Sequence, residues 1–249
     1  MRVAVLDDGG PLGAGTVQQA KHHGLDVAAF PKPAGIDSLT QAELEDRLAG
    51  CSAVIDLSGP PGLGDGTLTE EYGLVIDEEP LLSRVRHSTA VLLAAEAAVG
   101  VHHHVALSVV GVDRIGTEGA LRALRLKEHM VTRSGIPYSI IRSTQVFEMV
   151  DDVADAATED WIVWLPPVQA RPVAGDEVAT LLAHTAAFPP LQGVREIAGP
   201  EQFRLDVFVG AALTVTTRPD QYWQARSKPR TVSHAGMVIT VFGRLQDTF

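Results

Sequence analysis

Through the first 145 residues, short unbroken apolar runs alternate with longer stretches of helical periodicity. Arg2-Val3-Ala4-Val5-Leu6 reads as a strand buried on both faces. A glycine-rich turn and a helical pattern to His23 follow, with Pro11 well placed at a first helical position, where its missing N–H costs nothing. Gly24 closes that helix, and residues 25–30 form a second strand. Further strands are predicted at 53–57, 105–110 and 138–142, and further helices at 39–48, 81–99 and 118–134. Strands that alternate with helices imply a parallel sheet covered on both faces. The expectation is therefore an α/β protein, a Rossmann-like doubly wound parallel sheet.

After Arg142 the pattern loosens. Helices are predicted at 147–157 and 176–187 and a short strand at 194–198, with an apolar, two-proline segment at 161–168. From Phe203 no period dominates, and the tail from Arg218 is polar and mixed. The expected division is a dinucleotide-binding-like domain at 1–145 and a smaller substrate-binding cap region at 146–249, interleaved with it.

Composition narrows the partners. The 249 residues suit one large α/β domain with a small cap. The formal net charge of −11, from 31 acidic and 20 basic residues, repels nucleic acid and anionic membranes. Neither is an expected partner; a small-molecule substrate is, and a homodimer is the candidate assembly. No run of about 18 apolar residues occurs, so no membrane span is expected. Cys51 is the one cysteine and leads into an apolar run, so it reads as a packing residue. With no internal disulfide to form and no signal peptide visible, the expected location is the cytoplasm.

Ligands of such sheets bind at the carboxyl ends of the strands. Here that edge comprises residues 7–10, 30–35, 58–61, 108–113 and 143–147. "HHVALSVVGVDR" (103–114), "SGIPYSIIRSTQVFE" (134–148), "RPVAGDEVA" (171–179) and "EIAGPE" (196–201) together resemble segments of the NmrA-like atypical short-chain dehydrogenase/reductases. The resemblance spans roughly residues 1–210. It implies binding of NADP or NAD and reduction of a small carbonyl or quinone compound. By position it implies cofactor contacts from Gly10, Leu12, Gly13, Lys32, Ser58 and Gly59. Ser108 takes the position of a substrate hydrogen-bonder at the end of the central strand.

Three departures stand against that implication. The family expects G-x-x-G-x-x-G after its first strand; matching Gly10 and Gly13 to the last two glycines puts Asp7 at the first. Pyrophosphate is held there by backbone N–H groups and a helix N-terminus. A carboxylate ~4 Å from a phosphate charge costs up to about 4 kcal/mol at an effective dielectric of 20. Asp7 and Asp8 thus oppose the cofactor unless they point away or cap the helix. Second, the family's Tyr-x-x-x-Lys falls on Ala120 and Leu124, and neither transfers a proton. Lys127, one turn on, is either a displaced substitute or a solvated helix residue. Third, Lys32 after the second strand is either a phosphate partner or a plain loop lysine.

Gln145, Phe147 and Glu148 follow the strand at 138–142 and face the same crevice. Asp113 and Glu148 are rim carboxylates, either a general base or solvated charge. Trp161 and Trp164 form a lid or pack in the core. The candidate catalytic residues are therefore Ser108, Gln145 and Asp113, and the candidate substrate contacts Phe147, Glu148 and Trp161. His102-His103-His104 cannot all ligate one metal from a strand, because alternate side chains face opposite sides; no metal is expected. Three functions stay open: a non-redox isomerase, cyclase or dehydratase with weakened or lost dinucleotide binding; an NAD(P)H-dependent oxidoreductase acting on a quinone or ketone; and a non-catalytic dinucleotide sensor.

Overall fold

A computed structural model describes residues 1–7, 11–30, 39–59, 79–115, 119–159, 162–215 and 224–227. Six parallel strands form the main sheet: β1 (Arg2–Leu6), β2 (Asp26–Phe30), β3 (Ala53–Asp56), β4 (His103–Val109), β5 (Tyr138–Ser143) and, joined after an excursion, a strand at Gly193–Ile197. Their spatial order is β2-β1-β3-β4-β5 followed by that last strand at the edge. The chain steps from β1 to β2 on one side and then continues from β3 on the other. That reversal opens a crevice outside the carboxyl ends of β1 and β3.

Helices cover both faces, as the unbroken apolar runs require. α1 (Pro11–His22), α2 (Gln41–Leu48), α3 (Glu79–Val99), the short α4 (Val112–Ile115) and α5 (Gly119–Arg133) follow the first strands. On one face Val3, Val5, Ile55, Val105 and Ile141 pack with Val178 and Leu182. On the other, Ala4, Leu6 and Val54 pack with Leu44, Leu48, Leu92, Ala95 and Cys51. Cys51 is buried and free, and burial raises its thiol pKa, in keeping with a packing role.

The later chain builds α6 (Val150–Ala156), the short strands β6 (Thr158–Glu159), β7 (Ile162–Leu165) and β8 (Gln169–Ala170), then α7 (Gly175–Ala187) and β9 (Gly193–Ile197). β10 (Phe203–Arg204), α8 (Leu205–Val215) and β11 (Gln224–Ser227) complete the described chain. α8 lies where the sequence shows no clear period. α6, β7 and α8 share a third apolar cluster of their own, around Val150, Val163, Leu165, Leu205 and Val209. α7 and β9, by contrast, return to the main sheet, with β9 paired to β5.

Candidate functional site

The glycine turn joins β1 to α1. Among its described residues, Gly13 is buried in the first turn of α1, and Leu12 packs half-buried against the core. A Cβ built on Gly13 would overlap the Asp7 carboxylate, so that carboxylate lies directly against the helix's first turn. Of the sequence readings for Asp7, the geometry rejects pointing away and leaves capping of α1 and opposition to a phosphate charge. This is the place where a helix N-terminus attracts a phosphate. A pyrophosphate held at this turn would meet a carboxylate of like charge nearby. Asp8, Gly10, Lys32 and Trp161 lie outside the described residues.

One strand over, Asp56 ends β3 with its side chain fully buried. Its Oδ1 accepts hydrogen bonds from the Ser58 backbone N–H at 2.9 Å and the Ser58 hydroxyl at 2.5 Å. Lys127 of α5 brings its ammonium 2.7 Å from Asp56 Oδ2. The same ammonium donates to the Ser58 carbonyl at 2.6 Å and to Ser58 Oγ at 3.0 Å. Lys127 is thus buried rather than solvated, and of its two sequence readings the solvated one is overturned. Register puts His104 of β4 on the same face as Asp56, because Val54 pairs with His104 and Asp56 with Ala106. His104 Nε2 stands 3.8 Å from Asp56 Oδ2, and His104 Nδ1 lies 2.8 Å from Glu96 Oε1 of α3.

Four buried titratable groups therefore line up with acids and bases alternating: Glu96, His104, Asp56, Lys127. Burial opposes ionisation of Asp56, but Lys127 and then His104 outweigh it and hold its pKa below the usual value. Burial likewise opposes the imidazolium of His104, yet Glu96 chiefly, with Asp56, raises its pKa. His103 points to the opposite face, where its Nε2 meets Ser139 Oγ at 2.8 Å. Burial and the neighbouring His104 charge push His103 down to about 4. The paired histidines thus diverge as strand alternation demands. Among the described residues, no group of three or more His, Cys, Asp or Glu side chains could hold a metal.

The signs fix a pH dependence. His104 is raised above its ordinary 6.5, so its contribution to stability is complete below that value and is lost as pH rises through the raised pKa. Asp56 is lowered, so its contribution holds above the ordinary 3.8 and is lost as pH falls through the lowered value. Urea midpoints of the wild type should fall as pH is raised from the ordinary value of 6.5 through the raised pKa of His104. In His104→Gln that alkaline decline should be absent; an identical decline in both proteins would remove His104 as its cause.

Ser108 closes β4 at the same edge, 4% exposed, and its Oγ has no hydrogen-bond partner among the described residues. Its strand neighbour Arg142 is committed elsewhere. The guanidinium forks onto Glu128 at 2.9 and 2.7 Å and meets Asp113 at 3.1 Å and Glu196 at 3.6 Å. Hydrogen bonding to Glu128 foremost holds Arg142 firmly in its charged form. Asp113 is half exposed; slight burial works against its charge, but Arg142 outweighs it and lowers the pKa. Asp113 therefore stands as an ion-pair partner tying α4 to β5.

Gln145 and Phe147 follow β5. The Gln145 carbonyl accepts from the Val173 N–H, and the Phe147 N–H donates to the Val173 carbonyl. The Phe147 ring is 42% exposed and meets Phe208 of α8 edge to face, centroids 5.6 Å apart. Glu148 turns away to α7, whose Ala174 offers no side-chain cap. Both carboxylate oxygens accept from the Gly175 N–H, at 3.1 and 3.0 Å. A Cβ at Gly175 would press on that carboxylate at 3.0 Å. Glu148 serves as the missing cap, and Glu148→Ala should lower stability by about 1 kcal/mol, read from urea unfolding. Of the tryptophans, Trp164 lies half-buried on β7.

Asp56, Glu96 and the β3 connection of Lys127 escaped sequence reasoning. Two signals were present: a carboxylate ending the apolar run "AVID", and a glutamate inside the apolar helix stretch "LLAAEAAV".

No protein-family model matches the sequence, and no curated protein matches it. Solved structures do. MoeE5 in complex with UDP-glucose and NAD is 18% identical, covers 95% of this chain and 87% of its own, and superposes with a TM-score of 0.68. The fold is Rossmann-like. UDP-glucose 4-epimerase of Thermotoga maritima, solved with UDP-glucose, is 12% identical over 97% of this chain and 90% of its own, TM-score 0.67. The NADPH-dependent quinone oxidoreductase QOR2 of Escherichia coli, complexed with NADPH, is 18% identical over 92% and 78%, TM-score 0.62. These neighbours share the six-stranded parallel sheet flanked by helices, and the likeness is consistent with the NmrA-like segments. No described helix is long and apolar enough to cross a membrane.

Proposed function

We propose that this chain is a small-molecule enzyme that works in the carboxyl-edge crevice by proton transfer rather than hydride transfer, with dinucleotide binding weakened by its own carboxylate. The observation that carries the reading is the Asp7 side chain lying against Gly13. Ala120 and Leu124 at the positions of the catalytic pair point the same way. The exposed ring of Phe147 suits a substrate with an apolar, planar body, and Ser108 and Ser58 offer hydroxyls to its polar end. Isomerisation, cyclisation and dehydration are reactions of this kind, since each needs protons moved and no external electrons.

The competing reading is an NAD(P)H-dependent reductase. It is favoured by the extent of the fold shared with the quinone oxidoreductase. Titration of the purified protein with NADH and NADPH, followed by nicotinamide fluorescence, separates the two. No binding into the high micromolar range is expected. Micromolar binding of either nucleotide would overturn the proposed reading.

A further inference from the structure

The main sheet ends in β9, which pairs with β5 on one side and, among the described residues, with no strand on the other. An unpaired edge is a template for another strand, and soluble proteins commonly blunt it with lysine, proline or a bulge. β9 carries none of these: it reads Gly-Val-Arg-Glu-Ile, in unbroken register with β5 over all five residues. Large apolar side chains are exposed around its start, at Phe188, Leu191 and Val194. The opposite edge differs, for Val27 and Phe30 of β2 are half-buried. One bond gives the direction of the β9 backbone. The Thr144 N–H donates to the Ile197 carbonyl at 3.1 Å, so Ile197 faces β5. Alternation along the strand then turns the N–H and C=O groups of Val194 and Glu196 outward.

We infer that β9 pairs antiparallel with β9 of a second copy of this chain, across a two-fold axis at Val194, so that the two sheets run on as one. A two-fold axis makes the contact self-complementary, and charge selects its register. Val194, Arg195 and Glu196 are the exposed residues of the strand. Centring the axis on Arg195 or on Glu196 sets like charges directly opposite each other, which is destabilising. Centring it on Val194 sets valine against valine and each Arg195 against a glycine, Gly193. The two Val194 residues, both facing outward, then exchange a pair of backbone hydrogen bonds. Gln192, with a φ of 50°, ends the extended run just before the strand. The contact is therefore short, and the association is of the weak, reversible kind.

The inference does not depend on the proposed reading of the crevice. Sedimentation velocity of the full chain, from low micromolar to submillimolar concentration, tests it, and a dimer is expected to grow in over that range. Val194 is 46% exposed, so Val194→Lys leaves the core untouched. It sets like charges at the axis and should weaken association about tenfold or more. Val194→Cys tests the register. Two residues opposed in this way have Cα atoms ~5.5 Å apart, within reach of a disulfide. The native Cys51 is buried, and burial raises its thiol pKa, so mild oxidation should join the chains through position 194. Arg195→Cys puts its two thiols on a diagonal, with Cα atoms ~7–8 Å apart, and should cross-link far more slowly. A chain that stays monomeric throughout the range overturns the inference. So does a dimer that Val194→Lys leaves intact, or one that Arg195→Cys cross-links faster than Val194→Cys.

Discussion

Asp7→Gly should raise the affinity for NADPH by up to roughly a thousandfold. The Asp7 carboxylate lies against the first turn of α1, where the overlap with a Cβ on Gly13 locates it. That position combines exposed backbone N–H groups with the positive end of the helix dipole, and it favours one anion. In this chain the anion is supplied from within. A dinucleotide must displace the carboxylate and then tolerate its charge. At ~4 Å and an effective dielectric of 20 the repulsion is about 4 kcal/mol, three decades in affinity. Glycine removes both the charge and the volume. Nicotinamide fluorescence titrations of the two proteins at one ionic strength measure the effect. An unchanged affinity would show that something other than Asp7 sets nucleotide binding, and it would remove the main support for the proton-transfer reading. Asp7→Asn separates the contributions: it keeps the volume, loses the charge, and should recover an intermediate affinity.

Lys127→Met should destabilise the protein by about 3–5 kcal/mol, the usual result of removing one partner from a buried ion pair. Lys127 is 5% exposed and Asp56 fully buried, and the pair is closed at 2.7 Å. Without the ammonium, Asp56 keeps two hydrogen bonds from Ser58, and among the described residues the nearest basic group left to it is His104, at 3.8 Å. The double variant Asp56→Asn/Lys127→Met should recover much of the loss, because the uncompensated charge goes with its partner. Urea unfolding of the four proteins completes the cycle. A Lys127→Met protein within 1 kcal/mol of the wild type would mean the pair is solvated in solution.

Much of the architecture is legible in the chain. Apolar runs such as "RVAVL" and "AVID" can be buried only between two layers of helices, and they are β1 and β3. α8 was not legible: "LDVFVGAALTV" is apolar nearly all round, so its amphipathic period is faint, and burial against α6 and β7 decides its state. The strand at β4 begins two residues before the apolar run, at His103 and His104. Polar residues at those positions hid it, and each finds a buried partner only once Ser139 and Glu96 are brought near.

The site divides along the same line. Local chemistry in the sequence is enough to place a carboxylate in the glycine turn after β1 and to note a missing tyrosine. It also places Ser108 and Phe147 at the carboxyl ends of strands, since strand ends follow from alternation; the strand order comes only from the structure. Contacts between residues far apart in the chain are another matter. Lys127 and Ser58 are 69 positions apart, and Glu148 caps a helix 27 residues on. Whether Lys127 is solvated or buried, and whether Glu148 faces a ligand or a helix end, depends on which elements pack together. The sequence by itself determined the doubly wound sheet and the acidic turn, because periodicity and charge are local properties. Only the tertiary structure decided the partners of each charge, because a buried ion takes its role from what desolvates and neutralises it.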